Sequence, residues 1–392
     1  FLVSGQSHSY DIKEVMIDEL IEGEVELAMD NDRFARIDVY DGVDNTGLYL
    51  GYSSINFFHS IVPGSVTDFY KYIGEERSVG SRPTTDTYAA RSLLSVKYLL
   101  DPDIENSKEF EDSDGKAKMP GYKYIGTQNG YKIYENECYI PLGFTYSYYM
   151  TEEQAISFGT DHIDRMMLKA MLVSKEDEAV VSKILPNIGE AYNIGSEDAE
   201  KKMITFTDDR YRKDCSERAA ASVDILTYNS DKFTAKISLE SENYVFFSVP
   251  FESGWSATVN GKPVEIIKAN KGFMAVKAEA GINNIVFTYE TPGLVIGLMI
   301  SLFAAFVTLM YLSVIAVKRR YRPLKSVEYP EGDRISTHTM LYQAANFAAE
   351  NPDDDHLLDE IDRDSIEAYS GFKGGFSIDD SVLDSLDDGD DE

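Results

Sequence analysis

The sequence predicts an α+β region, then an antiparallel β-sandwich, one membrane-spanning helix and a disordered acidic tail. Three observations carry this. Short alternating segments recur between residues 221 and 291, an uncharged stretch runs from Leu294 to Val317, and acidic residues dominate after Ser326. The boundaries that follow are 1–220 for the α+β region, 221–291 for the sandwich, 292–317 for the span and 318–392 for a basic stop with its tail.

Within residues 1–220 the signals are local. Tyr10–Ile21 has helical spacing, with Ile12, Val15, Met16 and Leu20 on one stripe. Phe34–Tyr40 alternates like a strand, and Ser92–Leu99 reads as a strand or helix end before the turn Asp101-Pro102. Asp103 to Met119 is charged and poor in large apolar side chains, an insertion-like loop. Gly121–Ile125 and Gly130–Tyr134 form a hairpin through Gln128-Asn129-Gly130, and helices are expected at Asp161–Leu172 and Lys175–Ile184. No topology follows from these pieces alone.

The sandwich signal is stronger. Val223–Tyr228 and Lys232–Leu239 flank the turn Asn229-Ser230-Asp231, and Phe233, Ala235, Ile237 and Leu239 alternate with polar residues. Tyr244–Pro250 is an apolar run. Trp255, Ala257 and Val259 alternate up to Asn260-Gly261, a pair suited to a hairpin turn because both residues accept positive φ. Val264–Ala269, Phe273–Lys277 and Asn284–Glu290 complete the set. Trp255, the only tryptophan, is expected in the sandwich core rather than against a sugar.

Residues 294–317 contain no charge, and 24 helical residues at about 1.5 Å each span roughly 36 Å, enough for a hydrocarbon core of about 30 Å. Lys318, Arg319, Arg320, Arg322 and Lys325 follow, so the positive-inside rule puts residues 318–392 in the cytoplasm and residues 1–291 outside it. The tail is expected to be disordered, either merely solvated or a docking segment for a basic partner. The chain opens with FLVSGQSHSYDIKEVM, without a signal peptide, so translocation of the body would need upstream spans and the chain is expected to start mid-protein.

Composition excludes some chemistry. A net charge of −31, roughly half of it in the tail, argues against nucleic acid as a partner, because phosphate binding needs clustered Lys and Arg. Cys138 and Cys215 have no metal or redox spacing and read as unpaired thiols, with a single bridge as the alternative. The five histidines are scattered, so no metal site is expected and no cofactor is assigned to this portion; whether a divalent metal assists the whole protein is left open.

Arg33, Asn45, Tyr52, Ser53, Ser54, Asn56, His59 and Ser60 form a dense polar and aromatic cluster. Its composition suits a glycan-facing loop with Arg33 as an oxyanion anchor, and suits equally a loop packed by its own hydroxyls. Asp38, Asp41 and Asp44 resemble a carboxylate cluster, but nearness in sequence sets no catalytic separation; they read as turn formers and solvated strand-edge residues. There is no phosphate-cradling glycine loop and no nucleophile motif.

Four strings occur in a telling order: ARIDVYDGVDNTGLYLGYSSINFFHS (35–60), RSLLSVKYLLDP (91–102), YENECYIPLGF (134–144) and the block from Tyr244 to Ser301. In that last block an apolar strand is followed by Gly-Trp, Val-Asn-Gly and Gly-Phe-Met, and then a strand runs through Pro-Gly into the span. Together they resemble the C-terminal part of the YfhO family of bacterial membrane proteins. The resemblance implies a polytopic enzyme similar to the C-type glycosyltransferases, decorating a cell-wall polymer such as lipoteichoic acid from a polyprenyl-phosphate sugar. It puts the catalytic carboxylate in an early external loop that this chain lacks. The implied partners are the bilayer, the polyprenyl-phosphate sugar and the wall glycopolymer. The alternative is a non-catalytic, membrane-anchored glycan-binding or structural domain.

Overall fold

A computed structural model describes residues 24–30, 33–40, 42–77, 80–81, 83–102, 110–112, 114–157, 162–191 and 206–321. The helix expected over Tyr10–Ile21, Asp41, residues 103–109 and 113 of the expected loop, and the acidic tail lie outside these. The chain divides into two compact units, Phe1–Ser301 and Leu302–Glu392, with the boundary inside the long helix.

The first unit is a mixed α/β body with mostly antiparallel sheets. Its strands, in chain order, are β1 (Arg36–Val39), β2 (Val96–Asp101), β3 (Tyr122–Gln128), β4 (Tyr131–Asn136), β5 (Phe144–Thr145), β6 (Tyr149–Thr151), β7 (Met171–Val173), β8 (Ile225–Tyr228), β9 (Lys232–Leu239), β10 (Asn243–Pro250), β11 (Trp255–Val259), β12 (Lys262–Val264), β13 (Ile266–Ala269), β14 (Phe273–Ala278) and β15 (Gly281–Tyr289). They build three sheets, ordered β1-β2-β4-β3, β5-β10-β14-β13-β7-β6 and β12-β11-β15-β9-β8.

The expected sandwich is present. Asn260 and Gly261 both take positive φ, 53° and 78°, and pair Val259 with Lys262 across a two-residue turn. The five-stranded sheet packs on β10 and β14 through one apolar cluster that includes Phe233, Val245, Phe247, Met274, Ile285 and Phe287. The alternate residues of the same strands, Tyr244, Phe246, Phe273 and Ala275, belong to a second cluster on the other face. The central sheet is therefore buried on both sides, which is why Tyr244–Pro250 is apolar on both faces apart from Ser248, while β9, at the solvent side, alternates. Trp255 is half-buried at the margin of the first cluster, edge-on to Phe233 (5.6 Å), Phe287 (6.2 Å) and Tyr289 (5.1 Å).

Three of the six central strands come from before residue 221. β5 pairs with β10 (Phe144 with Phe246), β7 meets β13 at Val173 and Ala269, and β6 runs parallel to β7. This corrects the helix expected over Asp161–Leu172. It spans Ile163–Lys169 only, because Met171-Leu172-Val173 is fully buried as a strand of the sheet. The segment expected as one strand, Val264–Ala269, is likewise divided between β12 and β13, which lie in different sheets.

The described part of the loop after Asp103 is pinned rather than adrift. Phe110 and Met119 are buried, Phe110 meets Tyr40 edge-on at 4.6 Å, and Glu111 accepts from the Tyr134 hydroxyl (2.9 Å) and pairs with Lys132 (3.1 Å). Asp38 also departs from expectation. It is 2% exposed and holds Arg91, itself fully buried, at 2.8 Å. The remaining guanidinium nitrogens donate to the Thr84 and Pro83 carbonyls. Burial opposes the Arg91 charge, and Asp38 together with Tyr122 and Tyr70 more than offsets it, leaving that pKa above its ordinary value.

The long helix covers Leu294–Tyr321, and within its apolar stretch from Leu294 to Lys318 an 18-residue window has a mean hydropathy of 2.4, with none of that window buried against protein. Thr308 and Ser313 donate their hydroxyls back to the carbonyls of Ala304 and Leu309 (2.8 Å each), one turn earlier in the helix.

Candidate functional site

A cleft of about 670 Å³ opens where the central sheet meets four helices. The helix Gly64–Tyr72 contributes Asp68, Lys71 and Tyr72; Glu152 and Ile156 come from the helix Glu152–Ser157; β7 supplies Leu172 and Val173. Lys268 and Lys271 complete it from β13 and the turn that follows.

That turn is a built feature. Asn270 and Lys271 are both left-handed, at φ 47° and 64°, which a residue with a side chain adopts only where its surroundings enforce it. Asn270 does the enforcing. Fully buried, it accepts from the Leu172 amide (2.8 Å) through its side chain, donates its own amide to the Leu172 carbonyl (2.8 Å), and donates to the Tyr146 hydroxyl (2.9 Å). Tyr146 in turn donates to the Met167 carbonyl (2.7 Å). Gly272 follows because a Cβ there would lie 2.7 Å from the Ser65 carbonyl oxygen. The result is a fixed Lys271 ammonium, ion-paired with Glu152 and 4.9 Å above the Tyr72 ring.

Tyr72 itself has its pKa pushed up to about 12, by burial first and by Glu152 second, so its hydroxyl keeps its proton. That hydroxyl is buried without a hydrogen-bond partner in the structure. Lys268 pairs with Asp68 at 2.8 Å. The cleft therefore offers three ammonium groups, a phenol and an aliphatic wall beside three carboxylates, with Asp68 paired to Lys268, Glu152 paired to Lys271, and Glu176 also in the lining. It suits a polar ligand that carries an anionic group and an apolar face.

The cluster read from the sequence lies elsewhere, around β1. Tyr52 donates to the Val25 carbonyl (2.8 Å) and accepts from the Leu27 amide (3.2 Å), and the Ser53 carbonyl accepts from the Ile37 amide (2.8 Å). Ser54 Oγ accepts from the Asn56 amide (3.0 Å), and buried Asn56 donates to the Val39 carbonyl. Asn45 is left-handed (φ 65°), and its side chain accepts from the Phe58 amide (2.9 Å). Arg33, His59 and Ser60 are exposed, His59 with a ring nitrogen against the Ile61 carbonyl. Five of these eight residues are engaged with their own backbone surroundings, and none of the eight lines the cleft.

A family model described as "Bacterial membrane protein YfhO" matches residues 18–204 and 199–301. The chain belongs to the YfhO family. One relative is an uncharacterized protein YfhO from Bacillus subtilis (strain 168), 34% identical over 89 residues, which are 23% of this chain and 10% of that protein. The chain thus covers only a small part of the relative's length in this match. No solved structure matches.

In this YfhO-family chain both cysteines are free and buried, their thiols hydrogen-bonded to one another beside Tyr211. Cys215 is raised well above its ordinary pKa, chiefly by burial. Among the described residues no group of three or more His, Cys, Asp or Glu is placed to hold a metal. Sequence reasoning missed the cleft, although two lysines around an Asn-Lys-Gly turn at 268–272 were a signal that cations were being held in a forced backbone.

Proposed function

We propose that residues up to 291 form the external domain that follows the spans of a polytopic membrane glycosyltransferase, and that the cleft receives a phosphate-bearing sugar unit of its lipid-linked donor or wall-polymer acceptor. The observation that carries this is the cleft itself. Lys71, Lys268 and Lys271 meet an anion while Tyr72 and the Ile156–Val173 wall meet the face of a sugar ring. YfhO-family membership and the cations after the span support the setting. In this reading the transferring carboxylate belongs to a part of the protein outside this chain, and the exposed Arg33, His59 and Ser60 stand apart from the cleft.

A second reading, a non-catalytic anchored domain, is favoured by the ion pairs Lys268–Asp68 and Lys271–Glu152, which would brace the cleft without any ligand. Titrating the purified full chain with a polyprenyl-phosphate sugar and with lipoteichoic acid separates them. Saturable binding of either, weakened about tenfold by Lys271→Ala (about 1.4 kcal/mol), supports the cleft, and no sugar transfer is expected from the chain alone. Binding indifferent to Lys271→Ala and Lys268→Ala would leave the structural reading standing. Sidedness has its own test: protease added to intact protoplasts is expected to cut the body and spare the tail.

A further inference from the structure

From Asn45 to Thr67 there are 23 residues without Asp, Glu, Lys or Arg, although 27% of the chain is charged and a stretch of that length would ordinarily hold about six. Instead of hiding, several of its apolar side chains face outward. Leu48 is 77% and Ile61 82% exposed, with Tyr49 and Phe58 beside them at 45% and 42%. Asn45 draws the two arms of the loop together, its carbonyl accepting from the Leu48 amide and its side-chain oxygen from the Phe58 amide, 2.9 Å each. Exposed single hydrophobics need no explanation; a charge-free loop presenting four large ones does.

The fold fixes which end of the body carries this patch. Three residues past Ile61 the helix Gly64–Tyr72 begins, and the Ser65 carbonyl sits against Gly272. The Gly272 carbonyl accepts from the Phe251 amide (2.9 Å), at the end of β10 that turns into β11. There Trp255 pairs with Tyr289, and five residues on the long apolar helix starts at Leu294. Tyr228, 58% exposed, is at the same end, since the Tyr289 amide donates to the Asp231 carbonyl in the β8–β9 turn (2.7 Å).

We propose that this loop rests in the interfacial layer of the bilayer that the long helix enters, with Leu48, Tyr49, Phe58 and Ile61 as its lipid contacts. The occupant is lipid rather than protein because the loop runs into the Gly64–Tyr72 helix, whose first turn lies at the end of the body from which the chain enters its apolar helix. Its composition, aliphatic and aromatic tips on an uncharged backbone, is that of a segment that partitions between headgroups and acyl chains. Asp231, Glu252 and Glu290, at the same end, would stand at headgroup level and limit the depth.

The test uses the full chain in phosphatidylcholine nanodiscs, with a polarity-sensitive dye on Ile61→Cys. Buried Cys138 and Cys215 are left unlabelled under native conditions. The control is the same dye on Ile282→Cys, 62% exposed and seven residues up β15 from Tyr289, about 23 Å away. Expected is a blue-shifted Ile61 dye, quenched several-fold more than the Ile282 dye by lipids carrying a nitroxide near the glycerol, and shielded from iodide. Leu48→Cys repeats the measurement at the other arm, and unchanged Trp255 emission confirms that each variant is folded. Equal lipid quenching at positions 61 and 282 overturns the proposal. So does shielding from iodide without lipid quenching, which would mean a protein covers the loop.

Discussion

Asp164 makes stability depend on pH in a direction opposite to most carboxylates. It is 3% exposed, and burial, only partly offset by Arg165 and by amide hydrogen bonds from Arg165 (2.9 Å), Ala89 (3.1 Å) and Ala90, pushes its pKa up to about 6 from an ordinary 3.8. The sign follows from proton counting. Between about pH 4 and 6 the folded state holds a proton that the unfolded chain has released, so stability falls as pH rises through this window and is level above it. Two pH units at about 1.4 kcal/mol each, trimmed for incomplete protonation at pH 4, make the contribution about 2–3 kcal/mol. Asp164→Asn cannot ionise. It keeps an oxygen for the amides of Ala89 and Ala90 and loses the bond from Arg165, a fixed cost of about 1 kcal/mol. The assay is denaturant unfolding of wild type and variant across pH 4 to 7.5, followed by Trp255 fluorescence. The stability of the variant relative to wild type should improve by about 2–3 kcal/mol from pH 4 to 7. A difference that does not change with pH would refute the argument, because every other titrating group is common to both proteins.

The other expectations concern packing and the cleft. Asp38→Ala should cost about 3–5 kcal/mol by stranding a fully buried Arg91, and adding Arg91→Met should recover much of it in a denaturation cycle. Trp255→Ala should cost about 2–3 kcal/mol, below the 3–5 of a fully buried aromatic, since Trp255 is only half-buried; an unchanged melting temperature would remove it from the core. Asn270→Ala should cost about 3 kcal/mol, leaving the buried Leu172 amide unsatisfied and a left-handed residue unsupported, and should weaken ligand binding at Lys271 without touching the ligand.

What could be read from the sequence follows from how many faces an element buries and how far its partners lie. β9 and β11 each bury one face, so alternation reveals them, and Asn260-Gly261 reveals the hairpin between β11 and β12. β10 buries two, so it shows only as an apolar run whose second partner is silent. β5, β6 and β7 have two or three residues each, too short for any period, and exist because distant strands offer them hydrogen bonds. Asp38 looked solvated because one strand says nothing of an arginine 53 positions on. A lone arginine in Tyr-Ala-Ala-Arg-Ser-Leu-Leu was nonetheless a hint that a buried partner waited. The cleft was hidden for the same reason as the short strands, since its walls come from segments up to 200 positions apart.

The helix Gly64–Tyr72 links the two surfaces that matter. Its start follows the apolar loop, and its last two residues, Lys71 and Tyr72, line the cleft. Nine residues at 1.5 Å set about 13 Å between these ends. Phe69 anchors the middle, fully buried, edge-on to Phe273 at 4.7 Å and backed by the tight approach of Gly272. The helix cannot slide without unpacking the central sheet. With the loop seated at the interface, the cleft stands within one short helix of the headgroups, at a height set by side-chain packing rather than by a flexible tether. That is the reach a ligand needs if its sugar is carried on a phosphate at the membrane surface, and it gives the Asn270 turn a second role. The same Asn270-Lys271-Gly272 corner presents the cation and, through Ser65, holds the start of the helix.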